Sequence, residues 1–179
     1  MLFRSYGDAL FGLWKGFDEM RRWGWTDGVP RLAAAEVSGS LSAGLSGDDP
    51  MPPAVDRDTG SVATSIDIPR STAQALLALR RSGGLAVTLD DRAILAAQSA
   101  LARDTGLFVE SSSAAALAAV ERLGADGAIR AADTVVAVAT ASGLKDVDAG
   151  SSEAGAVPRV APDLDALRRA LDEHYGFDV

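Results

Sequence analysis

Leu10, Leu13, Trp14, Phe17 and Met20 recur at helical spacing behind Tyr6-Gly7-Asp8. That pattern predicts a first helix with Asp8 as its N-cap, stopping near Trp23-Gly24 with Gly24 just beyond its end. Asp27-Gly28-Val29-Pro30 turns the chain into a strand candidate over 31–37, which runs into Ser38-Gly39-Ser40 at its carboxyl end. From there to Pro53 the chain is rich in Ser, Gly, Asp and Pro and reads as a loop, and 54–69 shows no clear period. A helix capped by Ser71 or Thr72 carries Ala75, Leu76, Leu77 and Leu79 to about Arg81, where Ser82-Gly83-Gly84 breaks it.

Residues 85–87 form a short strand candidate, and Thr88 caps the next helix with Asp91 at its third position. Ile94, Ala97 and Leu101 mark the buried face of that helix, and Gly106 ends it before Leu107-Phe108-Val109, again a short strand. Glu110-Ser111-Ser112-Ser113 then opens an alanine-rich helix reaching Leu123. The stretch 134–140 is a continuous apolar run around Val135, Val136 and Val138, the pattern of a parallel strand buried on both faces, and it stops at Thr140, Ser142 and Gly143. A last helix over 164–174 puts Leu164, Leu167 and Leu171 on one face, with Asp163 as cap. Strands alternating with helices predict an α/β fold with a parallel sheet flanked by helices.

Composition narrows the chemistry. The 179 residues suffice for one ordinary domain, and hydrophobic and charged contents of 47% and 23% are those of a globular protein. A net charge of -8 argues against a nucleic-acid surface. The absence of cysteine excludes disulfides, thiolate nucleophiles and Cys-based metal sites, and His174 as the single histidine makes a His-driven triad or a multi-His metal site untenable within this chain. Lysine chemistry has two candidates, Lys15 and Lys145. No apolar run approaches the roughly 20 residues that span a bilayer. Asp8, Lys15 and Asp18 interrupt what could be a signal-peptide core, so a cytoplasmic location is the default expectation.

Polar clusters fall at the strand-to-helix junctions: Ser5 to Asp8, Ser38 to Ser40, Glu110 to Ser113 and Thr140 to Ser142. In a parallel sheet these junctions share one edge and can converge on one ligand. The free amides of a helix start suit a phosphate, and Ser5-Tyr6-Gly7-Asp8 leads into one, although Asp8 is itself an anion. From spacing alone each cluster equally admits a plain structural role: an ordinary N-cap at Asp8, an acidic first turn at Glu110, a strand-end hydroxyl at Thr140. Lys15 reads as a solvated helix residue, and His174 as an exposed helix-end residue favourably placed in the dipole.

Trp14-Lys15-Gly16-Phe17, Pro30-Arg31, Ser82-Gly83-Gly84, Gly106-Leu107-Phe108-Val109-Glu110, Ser113-Ala114-Ala115-Ala116-Leu117 and Gly143-Leu144-Lys145-Asp146 follow one another at characteristic intervals. In this order they resemble the C-terminal half of the threonine synthases, pyridoxal-phosphate enzymes of the tryptophan-synthase-β type, over nearly all of 6–146. The resemblance implies the C-terminal large-domain part of a fold-type-II pyridoxal-phosphate enzyme. It implies a cofactor phosphate at Ser5, Tyr6, Gly7 and Asp8, where the family often has Gly-Asn-Ala-Gly-Asn. It places Thr140 as the hydroxyl facing the pyridine nitrogen, in Thr140-Ala141-Ser142-Gly143 where Thr-Gly-His-Gly is usual. Glu110 and Ser113 match the family's Glu-Pro-Ala-Ser-Ala turn, with Ser111 and Ser112 in place of Pro and Ala, and Ser38 is a further cofactor-site candidate. A neutral hydroxyl makes the ring a weaker electron sink than an aspartate partner would, which restrains side reactions.

The resemblance further implies hydration of O-phosphohomoserine to threonine with release of phosphate. The family's Schiff-base lysine lies upstream of anything in this sequence, and neither Lys15 nor Lys145 matches it. The chain is therefore expected to be a fragment, inactive alone, whose partners are an amino-acid substrate and the missing N-terminal half of the same enzyme, and a homodimer is compatible with it. Residues 1–5 read as an artefactual or truncated start, 6–150 as the cofactor-binding α/β portion and 151–179 as a tail with one helix. A threonine or serine dehydratase with the same cofactor, and a non-catalytic α/β binding module, are the competing expectations.

Overall fold

Alternate residues of one alanine-rich strand point into two different cores, and this organises the molecule. The computed structural model describes residues 7–55, 60–145, 147 and 157–177. Strand β1 (Ala33–Glu36) pairs in parallel with β2 (Leu85–Thr88), with Ala33 opposite Leu85 and Glu36 opposite Thr88. Helices α1 (Asp8–Arg22), α2 (Ser40–Leu45) and α3 (Ala73–Ser82) come before β2 in the chain. After it come α4 (Asp91–Thr105), α5 (Ser111–Ala125), a 3-10 turn at Gly143–Lys145, and α6 (Leu164–Tyr175).

Ala34 packs with Leu10, Leu32, Leu41, Ala75, Leu76 and Leu79, so α1, α2 and α3 cover one face of the sheet. Ala35 and Val87 pack with Ile94, Ala97 and the alanines of α5, so α4 and α5 cover the other. The result is a helix–sheet–helix sandwich in which small strand side chains admit close helices on both sides. Gln98, buried on α4, donates from Nε2 to the Val109 carbonyl at 2.6 Å and pins the connection that leads to α5.

Several local expectations are met. Thr72 caps α3 by accepting from the Ala75 amide at 3.2 Å, and Asp163 caps α6 by accepting from Ala166 at 2.9 Å. Others are corrected. Gly7, not Asp8, is the N-cap of α1, and it has no side chain to give; Asp8 is the first helical residue and is exposed. Asp90, not Thr88, caps α4, accepting from the Ala93 amide at 2.8 Å, because Thr88 is held in the ladder opposite Glu36. The stretch read as loop after Ser38 contains α2, whose first turn is held by the buried Glu36 carboxylate: Leu41 N donates to Oε2 at 2.8 Å and Ser42 N to Oε1 at 2.7 Å.

The largest correction concerns 134–140. The run joins neither β1 nor β2, and Val135 and Val136 are 42% and 73% exposed. A cavity of about 600 Å³ is lined by Thr134, Val135, Val136 and Ala137 together with Leu32 and Ala33 at the start of β1. Apolar content makes a segment fit for burial, but a strand exists only where a neighbour supplies the ladder. Residues 107–109 likewise form no ladder beyond a single antiparallel bridge between Val109 and Ser142.

Asp18 of α1 is buried between Arg21 (2.9 Å) and Arg22 (2.5 Å). The Arg21 hydrogen bond, outweighing the opposing effect of burial and joined by the charges of both arginines, holds this carboxyl below the usual 3.8. A carboxyl depressed on folding adds stability above its unfolded pKa and loses it as pH falls through the folded one. Carbon-13 titration of the side-chain carboxyls is therefore expected to give Asp18 a midpoint below 3.8, and Asp18→Asn should flatten the acid limb of the stability curve below that pH. An unchanged acid limb in the variant would refute this.

Candidate functional site

The parallel pairing of β1 and β2 sends the chain out at one edge, where the residues following each strand start helices. At the start of α5, the Ser113 hydroxyl is buried and accepts from the backbone amides of Thr140 and Ala141, both at 3.3 Å. Its Oγ lies 3.4 Å from Thr140 Oγ1. The Glu110 amide donates to the Ala141 carbonyl at 3.0 Å, and the Gly143 amide to the Phe108 carbonyl at 3.0 Å. Lys145 Nζ closes the arrangement on Glu110 Oε2 at 2.6 Å, from a lysine side chain 40% exposed to a carboxylate only 5% exposed. Gly143 is buried where Phe108 lies against its backbone, and a β-carbon there would fall 2.4 Å from the ring.

The other junctions meet one another away from this pair. Ser40, fully buried, donates from Oγ to the Pro53 carbonyl at 2.8 Å and accepts from the Ser71 amide at 3.1 Å. Gly7 abuts the same region: a β-carbon on it would lie 3.4 Å from Ser71 Oγ and 3.1 Å from Thr72 Oγ1. The starts of α1 and α3 therefore lie beside the β1 exit. The Ser38 hydroxyl accepts from the Ser40 amide at 3.4 Å within its own turn. Ser5 and Tyr6 lie outside the described residues.

The structure thus brings Glu110, Ser113, Thr140 and Lys145 together, and sets Gly7 and Asp8 near Ser40 and Ser71. Thr140 is exposed, which a ligand-facing hydroxyl requires. Sequence reasoning missed Glu36 and the linking role of Ser113. Glu36 had a signal, a lone charge ending an alanine strand, whereas Ser113 sits among serines that spacing cannot rank.

These residues can be tested against a pyridoxal phosphate. The first intrahelical bond of α1 runs from Phe11 N to Gly7 O, which leaves the amides ahead of it without a helical acceptor, and Gly7 supplies no capping side chain. Such donors fit a phosphate. The Thr140 hydroxyl, held from behind by Ser113, fits a heteroaromatic nitrogen. Of the two lysines, Lys15 is paired with Glu19 on the surface of α1, and Lys145 with Glu110. Among the described residues no group of three or more His, Cys, Asp or Glu could hold a metal ion, and no helix is long and apolar enough to cross a membrane.

Residues 5–141 match the family described as "Pyridoxal-phosphate dependent enzyme". The chain belongs to that family. Within it, a threonine synthase of Methanosarcina acetivorans is 35% identical over 165 residues, spanning 90% of this chain and 41% of that protein. A threonine synthase of Methanocaldococcus jannaschii is 32% identical over 167 residues, 92% of this chain and again 41% of the relative. The chain therefore spans about two fifths of the length of these curated relatives. Among solved structures, a threonine deaminase of T.th. superposes with a TM-score of 0.56 at 20% identity, over 69% of this chain and 43% of that one. An L-serine ammonia-lyase of Rhizomucor miehei does so with 0.53 at 18%, over 77% and 45%. The helix-flanked parallel arrangement is that of the fold-type-II pyridoxal-phosphate enzymes.

Proposed function

We propose that this chain is the C-terminal, cofactor-cradling part of a threonine-synthase-like enzyme that converts O-phosphohomoserine and water to threonine and phosphate. The observation that supports the reading is an exposed hydroxyl at the end of the 134–140 run, Thr140 seated on Ser113; the start of α1 at Gly7, which has no capping side chain, would offer its amides to a phosphate. The similarity to threonine synthases over 90% of the chain supports the choice of reaction. Gly7, Asp8 and the adjoining residues Ser5 and Tyr6 would hold the cofactor phosphate through backbone amides. Thr140 would meet the ring nitrogen, Glu110 would fix the Thr140 segment, and Ser38 would line the β1 exit. Pyridoxal phosphate, when bound, supplies the electron sink that lets protons leave and return at the α and β carbons of an amino acid. A neutral hydroxyl opposite its nitrogen keeps that sink weak and favours elimination and hydration over side reactions. The lysine that carries the cofactor would come from a part of the enzyme that precedes these residues.

The test is twofold. The 179-residue chain incubated with pyridoxal phosphate and borohydride should show no site-specific label on Lys15 or Lys145 and form no threonine from O-phosphohomoserine. Joined to an N-terminal half carrying the missing lysine, it should release phosphate and threonine in equal amounts. Specific labelling of Lys145 would overturn the assignment. Oxoacid release from threonine, without threonine formation, would replace it by a dehydratase.

A further inference from the structure

Three guanidiniums gather at the end of α1 opposite Gly7, with one carboxylate among them. Helices α1 and α3 lie side by side: their starts meet where Gly7 abuts Thr72 and Ala75, and their last turns carry Arg21-Arg22 and Arg80-Arg81. A cleft of about 530 Å³ is lined there by Trp14, Asp18, Arg21 and Arg22 of α1 and by Leu77 and Arg81 of α3. Arginines at helix ends ordinarily answer the orphan carbonyls of the last turn. Here backbone amides already serve several of those carbonyls. Trp23 N and Trp25 N donate to Glu19 O and Met20 O, and Gly83 N and Gly84 N to Arg80 O and Leu79 O.

The side chains divide in the same way. Arg80 is engaged, donating to the Gly44 and Gly47 carbonyls at 2.9 and 2.7 Å. Arg81 is exposed, and its side chain makes no hydrogen bond or ion pair with another described residue. Arg21 and Arg22 both turn to Asp18, each through Nη2, and that single carboxylate is 12% exposed. The cleft therefore sets three cations against one anion, in a chain whose net charge is -8. Like charges gathered in one place repel, and an incoming anion relieves that repulsion. Asp18 also holds Arg21 and Arg22 in place, so less side-chain freedom remains to be lost when a ligand arrives. Beside them Trp14 is half-buried, its ring 5.7 Å from that of Phe11.

We propose that this cleft binds a small phosphate ester with a flat apolar body, its phosphate held by Arg81 together with Arg21 and Arg22 and its body against Trp14 and Leu77. A guanidinium fork matches the oxygens of a phosphate in pairs. The surplus of two positive charges suits the dianion that a phosphate monoester becomes above its second pKa of about 6, whereas a carboxylate brings a single charge. The proposal stands on this cleft alone and does not depend on the reaction assigned above. A bound ester would tie the last turn of α1 to that of α3.

Titration of the 179-residue chain at pH 8 with phenyl phosphate, and separately with inorganic phosphate, tests it by nitrogen-15 NMR. The Trp14 indole N–H and the Nε–H groups of Arg21, Arg22 and Arg81 should move together along one saturable curve. Phenyl phosphate should bind about threefold tighter than inorganic phosphate, the worth of a modest aromatic contact. Arg81→Gln should weaken phenyl phosphate on the order of tenfold, the loss of one hydrogen bond to a charged group. Lys15→Met removes a cation of the same helix that does not line the cleft, and should leave the affinity within about twofold, because an exposed charge at a distance is screened. No movement of the four groups at millimolar phenyl phosphate would overturn the site. Equal weakening by Lys15→Met and Arg81→Gln would replace it by diffuse attraction. Equal affinity for the two probes would overturn the role of Trp14 and reduce the site to one for the phosphate group alone.

Discussion

Gly7→Ala is expected to be the most damaging single-atom addition in the first helix, and the reason is twofold. Gly7 caps α1 at φ +98, a left-handed conformation that costs an alanine about 1–2 kcal/mol. The added carbon would also lie 2.3 Å from the Ala75 β-carbon of α3, an overlap that neither short side chain can rotate away from. Overpacking of this kind costs a further 1–3 kcal/mol or so, giving a loss of roughly 2–5 kcal/mol in urea unfolding. Gly12, on the same helix, has nothing within 4 Å of its would-be β-carbon. Gly12→Ala should accordingly stabilise by about 0.5–1 kcal/mol through helix propensity. If both substitutions shift the midpoint in the same direction, the packing of α1 on α3 is not as described. Gly7 also stands at the proposed phosphate end, beside Ser71 and Thr72.

Lys145→Met is expected to destabilise by about 1–3 kcal/mol, because it leaves the Glu110 carboxylate, 5% exposed, without its cation. The value stays below that of a fully buried pair because the Lys145 side chain is 40% exposed and water can partly replace it. Lys15→Met provides the contrast. Its pairing with Glu19 on α1 is between side chains 55% and 36% exposed, and such a pair is worth about 0–1 kcal/mol. Urea midpoints of the two variants, with Glu110→Gln and the double variant to complete a cycle, measure the coupling. Equal effects at Lys15 and Lys145 would show that Glu110 is better hydrated than its burial indicates. A coupling energy confined to Glu110 and Lys145 would show that the lysine serves to hold the Thr140 segment on α5.

How far the sequence reaches is visible in particular residues. Some helix boundaries were readable because their causes are local: the Thr72 hydroxyl meets an amide three residues on, and Gly106 stands just past the last turn of α4. The helical period of Leu10 and Trp14 and the alanine run after Ser113 likewise placed α1 and α5. The α/β order followed from the alternation of such segments, and the resemblance to threonine synthases from ordered motifs. Thr134 to Thr140 shows where such reading stops. Its valines are as apolar as any strand in the chain, yet it finds no ladder, since pairing is a property of two segments and only one is written in the run.

By itself, then, the sequence determined the helices other than α2, the positions of the two strands that do form, the absence of thiol chemistry and the restriction of lysine chemistry to two positions. It also placed hydroxyls after the apolar run at 134–140. What only the tertiary structure decided is which polar groups meet. Glu36 reaches forward to hold α2, Lys145 crosses 35 positions to Glu110, and Ser113 crosses 27 to Thr140. Those partners are separated by lengths of chain over which no periodicity carries information. They are joined because packing on the two faces of a short parallel sheet sets where each helix begins.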